Sequence, residues 1–181
     1  ACALQGMPKN AVLLSAGRGE VVATAELLAL IDSRPDIRLA LDVWEGEPEF
    51  ASALAERCAI TTPHIAGYSV DGKKTGLRMV ASELADFLGR DLSLDGGESP
   101  APVVNCVGDS AAMVIREAVL AVYDVAEDSK RFSEIIHAAE RGRQFDLLRK
   151  HYPPRRELAY CDLRAENPTM ASLLRAVQGG I

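Results

Sequence analysis

Three apolar runs without alternation punctuate the first third of the chain, at residues 11–15 (AVLLS), 37–43 (IRLALDV) and 59–62 (AITT). A run of this kind suits a parallel strand covered on both faces. Between the first two, residues 20–33 read as a helix, with Val21, Ala25, Leu28 and Ile31 or Ala29 along one side and Pro35 just past its end. Residues 49–57 read as a short helix before the third run. Strand and helix in this order predict right-handed crossovers and a parallel sheet. Residues 70–89 form a longer helix ended by Gly89. Its Leu77, Val80, Ala81, Leu84, Phe87 and Leu88 fall at helical spacing and predict one face packed on a core.

The pattern changes after residue 89. Residues 90–102 (RDLSLDGGESPAP) are rich in Gly, Ser, Asp and Pro and read as a linker. Residues 103–107 form a strand, and Asp109 or Ser110 can cap the helix that follows, with Ala112, Ile115, Val119, Val122 and Tyr123 on its face. Residues 133–139 read as helical and precede a mixed basic segment. A strand at 158–163 and a helix at 170–177 close a small α+β unit. The predicted division is 1–69, a helix at 70–89, the linker at 90–102, and 103–181 as a second domain.

Nearly half the residues are apolar and a quarter are charged, so the chain folds into globular structure. The net charge of -6 argues against a general binder of nucleic acid or anionic membrane. Cys2, Cys58, Cys106 and Cys161 lie far apart and form no CxxC pair, which reads as reduced thiols of a cytoplasmic protein and not as a zinc site. No apolar run approaches the roughly 18 residues that a membrane span needs. The chain opens Ala-Cys-Ala-Leu-Gln, in what reads as the end of a helix. The expectation is the C-terminal part of something longer.

The candidate chemistry gathers where the apolar runs end. Arg18 follows the first, inside Gly17-Arg18-Gly19. Asp42 ends the second and leads into the acidic turn Glu45, Gly46, Glu47, Pro48. His64 follows the third, after Thr62 and Pro63. The C-terminal edge of an open α/β sheet is where ligands sit. A lone histidine is by default structural, but a carboxylate beside an imidazole fixes its tautomer, and a histidine so held can move a proton near neutral pH. Pro48 restricts Glu47 to extended geometry, which aims its side chain. Glu45 reads as a solvated loop residue. Arg18 could clamp a carboxylate in bidentate fashion, and Gly17 and Gly19 could let a ligand approach the backbone. Asp42 reads as a loop acceptor or a partner for a carboxamide. Such a trio suits hydride transfer at the carbon of a 2-hydroxy acid, and it also suits hydrolysis.

The motifs GRGEVV, LDVWEGEPE and TTPHIAGY, in that order, resemble the D-isomer-specific 2-hydroxyacid dehydrogenases. YDV at 123–125, FDLLRKHYPPRRE at 145–157 and HIAGY at 64–68 resemble one subgroup, which acts on a phosphorylated 2-hydroxy acid in vitamin B6 synthesis. The resemblance implies an α/β fold: the second half of a Rossmann-type, parallel-sheet NAD-binding domain, followed by a small α+β dimerisation domain. It implies oxidation of 4-phospho-D-erythronate with NAD. It places the catalytic roles on Arg18, Glu47 and His64, the NAD contacts on Ala16, Gly17, Asp42 and Gly67, and a substrate contact on Tyr68. It implies a homodimer through the C-terminal domain. The family's GxGxxG turn is absent from these residues, so the chain alone is expected to bind NAD poorly and not to turn over. Arg141, Arg143, Arg149, Lys150, Arg155 and Arg156 could meet the substrate phosphate, a partner subunit or only solvent. Another 2-hydroxy acid as substrate, or a non-catalytic oligomerisation module, are the alternative readings.

Overall fold

The computed structural model describes residues 2–92 and 100–179. In chain order the elements are α1 (Cys2–Gln5), β1 (Val12–Ser15), α2 (Thr24–Ser33), β2 (Arg38–Leu41), α3 (Ser52–Ala55), β3 (Ile60–Thr61), α4 (Val70–Leu88), β4 (Val103–Cys106), α5 (Ala111–Val122), α6 (Val125–Ser133), α7 (Arg141–Lys150), β5 (Asp162–Ala165) and α8 (Pro168–Gly179). Two short 3-10 turns, Gly19–Val21 and Leu158–Tyr160, complete them. The chain divides into two compact units. The first runs to Ala66 and takes in Val125–Tyr152; the second holds Gly67–Asp124 and the residues from Pro153 onward.

In the first unit β1, β2 and β3 lie side by side, all parallel, with Leu13 opposite Leu39 and Leu41 opposite Thr61. This is the sheet that the apolar runs predict. Leu39 and Leu41 of the central strand are buried, and β1 at the edge leaves Val12 and Leu14 exposed. The predicted helix at 20–33 begins later, at Thr24, because the preceding residues tighten into the 3-10 turn. It buries Leu27, Leu30 and Ile31, a stripe shifted from the predicted one. Arg34, just past that helix, donates to the carbonyls of Gln5, Met7 and Pro8 and so fixes the lead into β1.

The remaining wall of this core comes from far along the chain. Phe132 of α6 and Phe145 of α7 are fully buried with Trp44 and Phe50. Residues 125–152 therefore belong with the first sheet and not with the 103–181 domain that the linker suggested. The physical reason is a single aromatic cluster that completes the core over β2 and β3. Helix also starts earlier than expected here: residues 133–139 are mostly turns after α6, and the basic segment is α7 itself.

The arginines of that segment are engaged within their own units. Arg143 pairs with Glu140 at 2.8 Å and Arg141 donates to the Phe50 carbonyl at 3.1 Å. In the second unit Arg155 lies over the Tyr123 ring at 4.2 Å. Arg156 forks both oxygens of buried Asp71, at 3.0 and 2.8 Å.

The second unit pairs β4 with β5 in parallel, flanked by α5 and α8. Its core is Cys106, Val114, Ala118, Cys161, Leu163 and Leu174. Ser110 caps α5 by accepting from the Met113 amide, as one of two predicted caps. The buried stripe of α5 is Val114 and Ala118, one step round from the predicted face. The predicted strand at 158–163 is a 3-10 turn followed by β5. Helix α4 is capped by Ser69, which accepts from Gly72, and ends on Gly89 at a φ of 59°, the left-handed stop. Its apolar face does not pack on a core. Leu77, Val80, Leu84, Phe87 and Leu88 are exposed, Phe87 by 85%, and the buried residue of this helix is Asp71. Most of the predicted linker, residues 93–99, lies outside the described residues.

Cys58, Cys106 and Cys161 are free thiols. Cys58 donates to the Leu54 carbonyl, and burial pushes its pKa from 9.0 up to about 12. The unfolded chain therefore loses this proton first. Stability from this source is whole below pH 9.0 and declines as pH rises towards about 12. Thermal melts across that window are expected to show the decline in the native sequence and a shallower one in Cys58→Ala.

Candidate active site

Parallel strands end on the same edge, so three successive loops meet there. Arg18 stands in the loop after β1. Asp42 directly follows β2, with Glu47 in the turn beyond it, and His64 follows β3. The structure brings all four together within the first unit.

His64 carries the central geometry. Its Nδ1 is hydrogen-bonded to Glu47 Oε1, and its Nε2 lies 3.3 Å from the Arg18 guanidinium. A carboxylate only accepts, so Nδ1 carries the proton and Nε2 presents its lone pair towards Arg18. Both side chains of the pair are largely buried, 22% exposed for His64 and 20% for Glu47, while Arg18 is exposed. The imidazole is thus fixed on its protein side and open on its cationic side.

The backbone at His64 is in the left-handed region, with φ at 56°, which an L side chain rarely adopts. Asp42 holds it there. Its carbonyl accepts from the His64 amide at 2.7 Å, and its carboxylate accepts from the amides of Ile65 at 2.8 Å and Ala66 at 2.9 Å. Thr62 Oγ1 donates to the same carboxylate at 2.6 Å. Three successive amides aimed at one residue offset the local strain.

Glu47 is set by Trp44. The Trp44 amide donates to Glu47 Oε2 at 3.2 Å, and the Glu47 amide donates back to the Trp44 carbonyl at 3.3 Å. The indole Nε1 of Trp44 donates to the Thr62 carbonyl at 2.9 Å. Glu45 is exposed but is more than a solvated loop residue. Its carboxylate accepts from the Thr24 amide at 2.7 Å at the start of α2, and that bond holds its pKa below the ordinary range.

Gly19 is buried, and its predicted use is corrected. A Cβ there would stand 2.1 Å from the Trp44 carbonyl oxygen, so this glycine admits the acid turn's backbone and not a ligand. Ala16 and Gly17 are exposed beside Arg18, and a Cβ on Gly17 would meet open space. Gly67 and Tyr68 belong to the second unit, where the Lys73 ammonium lies 4.3 Å over the Tyr68 ring. Sequence reasoning missed Trp44 and Thr62 as the parts that set Glu47 and His64. The chain's single tryptophan, next to the acidic turn, was the available signal.

Residues 1–66, which include Arg18, Glu47 and His64, match the family described as D-isomer specific 2-hydroxyacid dehydrogenase, NAD binding domain. Over these residues the chain is similar to that family's NAD-binding domain. Residues 100–177 match a domain of unknown function, DUF3410. Among similar proteins is the erythronate-4-phosphate dehydrogenase of Edwardsiella ictaluri (strain 93-146), 40% identical over 96% of this chain and 47% of that protein. The protein of the same name from Ectopseudomonas mendocina (strain ymp) is 41% identical over 96% of this chain and 49% of its own length. That of Proteus mirabilis (strain HI4320) is 35% identical over 94% and 46%. The chain thus spans about half the length of the curated relatives it matches.

The match of residues 1–66 to an NAD-binding domain supports NAD as the cofactor. Ala16 and Gly17 leave an open rim beside Arg18, and the 181 residues contain no GxGxxG turn for the pyrophosphate. The close approach at Gly19 gives a direct test. Gly19→Ala is expected to cost about 1–3 kcal/mol, the usual range for overpacking, because the obstacle is backbone. Urea unfolding of the variant against the native sequence measures it.

Proposed function

We propose that this chain carries the catalytic side chains of an NAD-dependent dehydrogenase that oxidises 4-phospho-D-erythronate to its 2-oxo acid, in the formation of pyridoxal phosphate. The observation that carries the reading is the line from Arg18 through His64 to Glu47 at the strand ends. The names of the relatives supply the substrate.

Each residue then has one task. Arg18, exposed and cationic, pairs with the substrate carboxylate and polarises the adjoining C–O bond. His64 Nε2 accepts the proton of the C2 hydroxyl as the bond to oxygen gains double-bond character. Glu47, on Nδ1, holds the ring and balances the charge that it gains. NAD, when bound, supplies the acceptor for the hydride that leaves C2. Ala16, Gly17, Asp42 and Gly67 are its proposed contacts and Tyr68 is a proposed substrate contact. Asp42 would do this while its carboxylate clamps the His64 loop.

The protein works as a homodimer in the cytoplasm. Exposed apolar residues of the second unit, Val103, Val107, Met113 and Leu120, support an interface there. The unpaired thiols suit a reducing compartment, and among the described residues no helix is long and apolar enough to cross a membrane.

The test joins this chain to the part of the Edwardsiella ictaluri protein that it does not match. The chimera is expected to form NADH from 4-phospho-D-erythronate, and the 181-residue chain alone is not. His64→Gln is expected to lower kcat about 10²–10⁴-fold, the usual range for a general base, and Arg18→Lys to raise KM. A chimera that sediments as a folded dimer, binds NAD and still oxidises no D-2-hydroxy acid sinks the reading.

A further inference from the structure

Helices α6 and α7 fall inside the stretch that matches the family described as a domain of unknown function, yet they pack in the unit that holds Arg18, Glu47 and His64. Phe132 of α6 stacks on Trp44 with centroids 5.0 Å apart and planes 14° from parallel. It meets Phe50 at 4.7 Å. Phe145 of α7 meets Phe50 at 5.8 Å, and Arg141 Nε donates to the Phe50 carbonyl at 3.1 Å. The acidic turn is therefore gripped at both ends, at Trp44 and at Phe50, by residues of α6 and α7. Trp44 in turn holds both members of the pair, Glu47 through its amide and the Thr62 carbonyl, two residues before His64, through its indole. Ser129 of α6 adds a bond to the same lead, accepting from the Thr61 amide at 3.1 Å.

We propose that α6 and α7 are a positioning brace for the Glu47–His64 pair, so that this segment of the domain of unknown function is a working part of the catalytic unit. Phe132, Phe145 and Arg141 are positioning residues, and none of them touches the reacting atoms. A hydrogen bond weakens steeply as its distance and angle drift. A turn released at Trp44 and Phe50 lets the carboxylate move away from Nδ1, and the imidazole loses the acceptor that holds its Nδ1 proton. The inference rests on the dehydrogenase reading only in making His64 the proton acceptor.

A purely structural role would lower stability and leave the tautomer alone, so the tautomer is the readout. Long-range proton–nitrogen spectra of the ¹⁵N-labelled 181-residue chain show which ring nitrogen of His64 bears the proton. The native sequence is expected to show Nδ1–H, and Glu47→Leu, which cannot accept, to weaken that preference. Phe132→Ala and Arg141→Ala are expected to lose the Nδ1–H preference, and Phe132→Tyr and Arg141→Lys to restore it. Should Phe132→Ala fail to fold, Phe132→Leu keeps apolar volume without the flat face and takes its place. A folded Phe132→Leu or Arg141→Ala chain with the native tautomer overturns the proposal, as does a native chain with the proton on Nε2. The readout needs no turnover, so an inactive chimera with these tautomer changes intact counts against the dehydrogenase reading alone.

Discussion

The placement of Trp44 is the constraint on which the site depends. Its ring packs against both Phe132 and Phe50, its indole nitrogen reaches the Thr62 carbonyl, and its backbone bonds to Glu47 in both directions. Its carbonyl presses on Gly19, the residue after Arg18. One buried residue thus connects the three loops that carry Arg18, Glu47 and His64. A buried indole is suited to this, because it is rigid, large and its one N–H is satisfied only in one orientation.

The parallel ladder supplies the second requirement, a common edge. Leu41 and Thr61 are register partners, and the ladder continues past the strands through the Thr62 amide to Leu41 and the His64 amide to Asp42. The turn into the left-handed conformation at His64 then depends on the Asp42 carboxylate, which gathers the two amides that follow. The Asp42 carboxylate is, in this fold, the clamp of the His64 loop.

Two apolar surfaces stand apart from this economy of packing. The outer face of α4, with Leu77, Val80, Leu84 and Phe87, is exposed, and so are Val12 and Leu14 on the edge strand β1. Contiguous exposed apolar residues are uncommon on monomers and mark surfaces that associate. Helical spacing gives the apolar face of α4 but not what the face meets. By contrast, the arginines between 141 and 156 looked like a reserve of positive charge and are engaged by local acids, carbonyls and a ring. Arg156 and Asp71 form the firmest of these pairs, and the carboxylate raises the guanidinium's pKa above its ordinary value.

Much was legible in the order of residues. Unalternating apolar runs sufficed for three parallel strands, because a strand covered on both faces has no polar face to show. The sheet's parallel order then placed Arg18, Asp42, Glu47 and His64 on one edge, and Gly89 marked the end of α4 through its left-handed backbone. Tertiary structure alone decided that residues 125–152 return to the first core. Phe132 and Phe145 are apolar in any fold, and nothing in their local spacing says which distant ring they will meet. It also decided that Gly19 serves a backbone contact, that Glu45 holds the start of α2, and that Trp44 joins the loops. Local pattern reports what a segment must bury or cap; only the meeting of segments reports what it is buried against.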